Sequence, residues 1–499
     1  MLEDDELSLF SPGGLGQYVG TLRWLGIDEL RISAEWKLEA PAPSSSHKPP
    51  GFRAGDPRAY DASAGVQLLD RAVRAAAAGG LGVILDPAFS APRWATRSPR
   101  ASGSAADPWY NTDIDVRQLA TWEAMLALRY SGRYTPVGAG APLPRVGTVT
   151  LWNEPNQDGY LAPQWDGGVP VSADWYRALT EIAYPAIKRA SPGTTVLIGD
   201  TSSVGADAQA GNGGVPPLTF IRRLACVDAQ LAPVTDGACA GFHLVPADGY
   251  SQHPYERNAP PWLPTGSDGA AMGDLPVLQA LLDKLVAMHR LAPGAGSLWL
   301  TEQGYESNGQ LADRLWTETQ QAELNADAEY LAWRDGSIAS FSQFLLRDTR
   351  TSETLAARQA GNPRALLAGT WTSGLVRENG TPKPALSMFR SPVVARIVSF
   401  APSASWLPSS PAGAPAELLD LWGRARPIRS PTLVVLQVCD DGSGAYRNVG
   451  EVTTDTNGIF DVRVAVAAKL DVSVRFAWLA PDGSWQTSPA VPPAVFGTA

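Results

Sequence analysis

Short apolar runs alternate along the chain with longer stretches in which apolar positions recur every three or four residues, the pattern of strands followed by amphipathic helices. Ile27–Ser33 reads as a strand. A helix is predicted over Ala64–Ala78, with Val66, Leu69, Val73 and Ala76 on one face and Gly79-Gly80 as its stop. The unit then repeats. Leu81–Asp86 precedes a helix at Val116–Tyr130, Arg145–Leu151 precedes Asp174–Lys188, and Thr195–Gly199 precedes Leu218–Cys226. A strand ending near His253 precedes Pro276–Arg290, a run from Ser297 to Glu302 precedes Glu318–Trp333, and Ser340–Leu346 is the last strand of the series. Strands alternating with helices at this spacing predict an α/β fold, a (β/α)8 TIM barrel. Its first strand should lie just before Glu3-Asp4-Asp5, where only two residues stand: either the chain is trimmed from a longer one that carried a leader, which is the expectation, or the first strand is very short.

The connections are asymmetric. Helix-to-strand turns are short, as at Gly79-Gly80, Ser191–Gly193 and Pro293–Gly296, whereas strand-to-helix loops are long, as at Pro41–Arg58, Arg97–Asn111, Ser202–Pro217 and Glu256–Gly273. A barrel gathers all the long loops on the face where its strands end, so they should wall a cleft. Trp94, Trp109, Trp165 and Trp262 fall in or beside these loops; packing is the default role for each, and one or two are expected to stack on a ligand.

Beyond Arg396 the pattern changes. Ser399–Arg429 is rich in Pro, Ala and Ser, and then Thr432–Gln437, Val449–Thr454, Asp461–Val466 and Asp471–Trp478 read as short strands. Asp441-Gly442, Asn457-Gly458 and Asp482-Gly483 supply turns between and after them. The predicted organisation is a barrel over 1–400, a junction over 401–428 and a small antiparallel Ig-like β-sandwich over 429–499, with a bracing role expected for the last.

A chain of 499 residues has room for a barrel and a satellite domain. Its net charge of −10, with no basic cluster, argues against nucleic acid or an anionic membrane as partner, and no apolar run is long enough to span a membrane. Cys226 and Cys239 bracket a short loop, and a disulfide there is expected, which implies an oxidising compartment and a secreted protein; two free thiols are the alternative. Cys439, in a strand-like run, reads as an inert buried thiol.

The chemistry sits at strand ends. Trp152-Asn153-Glu154-Pro155 closes the run Arg145–Leu151, and Glu302 closes Ser297–Thr301, 148 positions later. Two carboxylates delivered to one face are what retaining glycoside hydrolysis requires, one as acid and one as nucleophile about 5–5.5 Å apart. Asn153-Glu154-Pro155, His253-Pro254-Tyr255 and Thr301-Glu302, in that order and each after a strand-like run, resemble the motifs of clan A glycoside hydrolases, closest to families 39 and 5. The resemblance covers about Leu2 to Phe389. It implies a retaining hydrolase of β-linked glycosides, with Glu154 as acid/base and Glu302 as nucleophile.

The same resemblance implies roles around the pair. Asn153 would bond the 2-hydroxyl of the sugar, Arg31 and Tyr255 would contact the nucleophile, and His253 would line the cleft. Trp94 and Trp371 complete the expected substrate-binding set. Two positions depart from the family pattern: Asp86-Pro87-Ala88-Phe89 lacks the histidine often found after the third strand, and Gln343–Asp348 lacks the tryptophan often found at the eighth, for which Trp371 is the expected substitute. No cofactor is implied, and His243 stands at no recognised metal-binding spacing from His253. A monomer acting on carbohydrate is expected. A transglycosylase or a non-catalytic carbohydrate-binding barrel would share the same residues.

Overall fold

The computed structural model describes residues 1–88, 90–97, 103–104, 107–108, 110–206, 213–266, 268–308, 315–349, 371–401, 416–467 and 471–495. Phe89 and Trp109 lie outside them, as do much of the junction and parts of the long loops.

Nine strand segments form one parallel sheet that curls into a barrel. In chain order they are β1 (Leu2–Glu3), β2 (Glu29–Glu35), β3 (Gly82–Ala88), β4 (Thr148–Thr150), β5 (Thr195–Ser202), β6 (Gly249–His253), β7 (Leu298–Leu300), β8 (Ile338–Phe341) and β9 (Gln343–Phe344). The last two are halves of one eighth strand, broken at Ser342: β8 pairs with β7, and β9 pairs with β1. The two-residue β1 bridges its neighbours completely, Leu2 beside Leu30 and Gln343, and Glu3 beside Arg31 and Phe344. That register brings the Glu3 side chain next to Arg31.

The helices form where the sequence periodicity placed them. Ala64–Ala78 buries Val66, Leu69, Ala72, Val73 and Ala76 and stops at Gly79. Val116–Arg129 is started by Asp115, whose carboxylate accepts from the backbone N–H groups of Arg117 and Gln118. Glu318–Arg334 opens with a Thr317/Gln320 capping box. The 20-residue helix Val171–Ala190 runs beyond the predicted Asp174–Lys188 at both ends. Leu15–Trp24 is a helix without a predicted counterpart; it buries Leu15, Tyr18, Val19 and Leu22 against the barrel.

The C-terminal region holds seven further strands in two antiparallel sheets. Val393–Ala401 (β10), Ala416–Arg424 (β11) and Ile459–Ala467 (β14) form one, in the order β10-β11-β14. Leu433–Cys439 (β12), Arg447–Thr453 (β13), Ser473–Leu479 (β15) and Trp485–Thr487 (β16) form the other, in the order β13-β12-β15-β16. The sheets therefore take in β10 and β11, which fall before the expected start at residue 429. The Pro/Ala/Ser-rich composition that suggested a junction there belongs mainly to 402–415, between these two strands. Phe476 packs against both Phe460 and Trp478 in a buried core.

This region is fastened to the barrel. Glu329, on the helix Glu318–Arg334, pairs with Arg424 at 3.0 Å and with Arg426. Trp422 packs 5.7 Å from Tyr330 and 6.0 Å from Trp333. Cys226 and Cys239 are joined by a disulfide, and Cys439 is a buried free thiol. Among the described residues no helix is long and apolar enough to cross a membrane.

Candidate active site

Arg31 is the hub. It points into the barrel from the middle of β2 with no solvent exposure, and its guanidinium meets carboxylates from four strand ends. Nη1 donates to Glu302 Oε1 at 2.7 Å and to Glu3. Nη2 donates to Asp200 Oδ2 at 2.8 Å, lies 3.0 Å from Asp86 Oδ2, and donates to Asn153 Oδ1 at 3.2 Å. One cation cannot hold four anions in a buried site, and the carboxyls divide accordingly. Burial pushes Glu3 well above the usual carboxylate range, and it pushes Asp86 up to about 7 against the pull of Arg31. Burial also acts on Asp200, but Arg31 and His253 outweigh it and hold Asp200 well below the usual range.

Glu302 accepts at both oxygens, from Arg31 at Oε1 and from the Tyr255 hydroxyl at Oε2, 2.8 Å away. Two donors and no acceptor are the partners of an ionised carboxylate. Glu154 differs. Burial raises it above the usual range, the nearby Glu302 and Asp200 charges reinforce the rise, and His253 opposes it. The two carboxyls face each other across the site. An oxygen of Glu154, an oxygen of Glu302 and a ring nitrogen of His253 all lie within 4.8 Å of one another.

The backbone at the Glu154 end is unusual. Trp152 and Glu154 have positive φ, +60° and +39°, a region non-glycine residues adopt at a cost of about 1–3 kcal/mol when the surroundings enforce it. Trp152 is enforced by burial and by its indole N–H, which donates to Tyr160 O at 3.2 Å; Glu154 is enforced by a bond from its own N–H to Asp200 O at 3.0 Å. Asp200 also has positive φ, +50°, at an irregularity of β5 between Gly199 and Thr201. This bulge turns the Asp200 carboxylate inward, and a side chain at Gly199 would strike Ser251 O at 2.6 Å.

His253, at the end of β6, is fully buried between carboxylates. Nδ1 lies 3.1 Å from Glu154 Oε1 in a hydrogen bond. Nε2 lies 3.3 Å from Asp200 Oδ1 and 3.6 Å from Glu302 Oε1, within ion-pair range but not aligned for a hydrogen bond to either. Burial pulls its basicity down, yet the Glu302 and Asp200 charges dominate and raise it well above that of an ordinary histidine. A cation could bridge Glu154, His253 and Glu302 by distance alone. The Arg31 guanidinium and a histidine that favours its protonated form already supply positive charge there, so the donor set suits a metal poorly.

Of the residues singled out in the sequence, Arg31, Asn153, Glu154, His253, Tyr255 and Glu302 converge. Trp371 joins them through aromatic contact, 5.1 Å from the Tyr255 ring and 5.4 Å from Phe344, with the Arg257 guanidinium 5.5 Å above it. Trp94 packs edge-on against Trp36 and Phe52, each 5.9 Å away, donates to Pro41 O, and lies under the Lys48 ammonium. Trp165 and Trp262 pack half-buried against the core. Asp200, Asp86 and Glu3 were not singled out as site residues. Each is an acid inside or ending an apolar strand, a place where an unpaired carboxylate is costly, and that was the available signal.

No family model and no curated protein matches the chain. Several solved structures follow a similar course. A family 39 glycoside hydrolase from the gut symbiont Bacteroides cellulosilyticus is 17% identical, with 91% of this chain and 78% of that chain covered and a TM-score of 0.46. An endo-β-1,4-mannanase from Thermotoga petrophila is 12% identical over 100% and 97% of the two chains, with a TM-score of 0.41. A β-glucuronidase from Bacteroides uniformis is 10% identical, with a TM-score of 0.40; 97% of this chain is covered but only 44% of that longer one. Likeness at this level is one of fold and carries nothing about activity.

Proposed function

We propose that this protein is a glycoside hydrolase that cleaves β-linked glycosides or polysaccharide with retention of configuration. The observation that supports it most directly is the facing carboxyl pair, with an oxygen of Glu154 within 4.8 Å of one of Glu302. That spacing suits the about 5–5.5 Å of retaining enzymes better than the about 6.5–9.5 Å of inverting ones. Glu302, held by Arg31 and Tyr255, attacks the anomeric carbon; Glu154 gives its proton to the departing oxygen and later takes one from the incoming water. The preference for β-linkages rests on the resemblance of Asn153-Glu154-Pro155, His253-Pro254-Tyr255 and Thr301-Glu302 to clan A motifs. Asn153, whose Oδ1 is taken by Arg31, keeps its amide N–H groups for a sugar hydroxyl, and Trp371 offers an aromatic face beside Tyr255. The Cys226–Cys239 bridge supports secretion into an oxidising compartment.

The test is a panel of nitrophenyl α- and β-glycosides with plant and bacterial polysaccharides, followed by proton NMR of the first product formed. Release of the β-anomer from a β-glycoside is expected. First release of the α-anomer would exclude the double displacement, and turnover of the α-glycosides alone would overturn the linkage.

A further inference from the structure

Asp200 is a buried anion that the two-carboxylate mechanism does not use. It accepts from Arg31 at 2.8 Å and from the Thr301 hydroxyl at 2.8 Å, so it is tied to the nucleophile's strand as well as to the hub. Its backbone oxygen fixes the strained Glu154 backbone, and its carboxylate faces His253 Nε2. The opposite ring nitrogen faces Glu154. The three side chains form a line: carboxylate, imidazole, carboxyl.

We propose that Asp200 is the positioning residue of this site: it keeps a proton on His253 Nε2, so that Nδ1 shares a second, mobile proton with Glu154. This deepens the hydrolase reading above and rests on it only for the chemical step. Neutral imidazole carries one N–H, and the Asp200 charge decides which nitrogen carries it. With Nε2 protonated, Nδ1 can accept from a protonated Glu154 or donate to an ionised one. In the first half-reaction the bond from Glu302 to the anomeric carbon forms, the bond to the leaving oxygen breaks, and the shared proton goes to that oxygen. In the second, water bonds to the anomeric carbon, the ester to Glu302 breaks, and the water proton returns to the Glu154–His253 pair. The other groups around this line are Glu302, Tyr255 and Arg31, with Asp86 and Glu3 behind Arg31.

Two measurements on the full chain test the idea. The first needs no substrate. The chain has four histidines, so ring-nitrogen NMR of 15N-histidine-labelled protein is tractable, with His253→Gln identifying the signal. Wild-type His253 should keep Nε2 protonated throughout about pH 5 to 8, while Asp200→Asn should bring its titration into that window. A wild-type ring protonated on Nδ1 alone, or a titration unchanged in Asp200→Asn, overturns the proposal.

The second uses whichever aryl glycoside the wild type cleaves. In Asp200→Asn, kcat/KM for a poor, phenol-type leaving group should fall about a hundredfold, the scale of general-acid assistance. A dinitrophenyl leaving group needs little proton assistance, and its kcat/KM, which reports the first half-reaction alone, should change by no more than about threefold. Equal losses on both substrates mean a structural role and overturn the proposal. If no glycoside is cleaved by the wild type, the hydrolase reading fails, and the NMR result still decides whether Asp200 controls His253. Should Asp200→Asn not fold, the tautomer in the wild-type protein decides alone.

Discussion

Arg31 donates across 271 positions of sequence to Glu302 from the same nitrogen that reaches Glu3, so the proposed nucleophile and a buried carboxyl of the first strand share one donor. Glu3 is pushed toward its neutral form by burial, which leaves Glu302 the better claimant on the Arg31 charge. Replacing Arg31 by Met should therefore do two kinds of harm. Removing one partner of a buried charge network costs about 3–5 kcal/mol, and Glu302 loses half of its donors. A urea-unfolding series should show the loss of stability, and activity in the folded fraction should fall by at least tenfold. Unchanged activity in well-folded Arg31→Met would separate Arg31 from the nucleophile.

Glu302→Ala should abolish turnover, because it removes the proposed nucleophile. Added azide should restore cleavage of an activated β-glycoside and yield the α-glycosyl azide, since azide enters from the face the carboxylate occupied. Recovery of the β-azide would mean that Glu154 and Glu302 have exchanged roles.

The acid pair and its barrel were legible because the chemistry is written at strand ends, where a polar residue interrupts an apolar run. Asn153-Glu154 and Thr301-Glu302 are such interruptions, and so are Asp86 and Asp200. The difference is one of register. The hydrophobic pattern ends the fifth strand at Gly199, whereas it runs to Ser202 through a bulge, and a bulge turns a side chain from one face to the other with no mark in that pattern. Trp94, beside a long loop, shares an aromatic cluster with Trp36 and Phe52, a neighbourhood that the hydrophobic pattern does not mark.

Glu39 makes stability depend on pH. It is buried, accepts from the Trp122 indole at 3.1 Å, and is pushed by burial up to about 8 from an unfolded value of 4.5. The folded chain holds a proton here that the unfolded chain has lost, so its contribution to stability is fully present below about 4.5 and fades as pH rises through about 8. Asp4, pushed by burial up to about 7, acts in the same direction. Glu39→Gln, neutral at every pH, should flatten the decline. Its gain over wild type should be roughly 1–3 kcal/mol at pH 8 and near zero at pH 5, read from denaturation midpoints. A gain equal at both pH values would assign the effect to packing.

The Cys226–Cys239 bridge closes a loop of sequence separation 13. In the loop-entropy picture such a bridge contributes about 3 kcal/mol. Cys226→Ala with Cys239→Ala should lose about that much while the folded fraction keeps its activity, since neither cysteine touches the carboxyl pair. A non-reduced digest of protein made under oxidising conditions should contain the linked peptides; two free thiols there would remove the support for secretion.

A bracing role for the C-terminal sheets is best tested at Glu329. It sits on the barrel helix Glu318–Arg334, buried, and its Oε1 accepts from both Arg424 and Arg426, the first at the end of β11 and the second just past it. Burial alone would raise Glu329, but the two arginines hold it below the usual carboxylate range, so it stays charged and the contact stays paired. Trp422 covers Tyr330 and Trp333 alongside. Glu329→Gln leaves two guanidinium groups facing a neutral amide and should cost about 3 kcal/mol, the lower end for breaking a buried pair. Truncation after Arg390, before β10 begins, should expose the Tyr330–Trp333 surface and lower solubility. Neither change touches the converging residues around Arg31, so kcat on a small glycoside should be preserved in whatever fraction folds. If the truncated barrel folds well, keeps that activity and loses only its action on an insoluble polymer, the sheets bind substrate and bracing is not their main role.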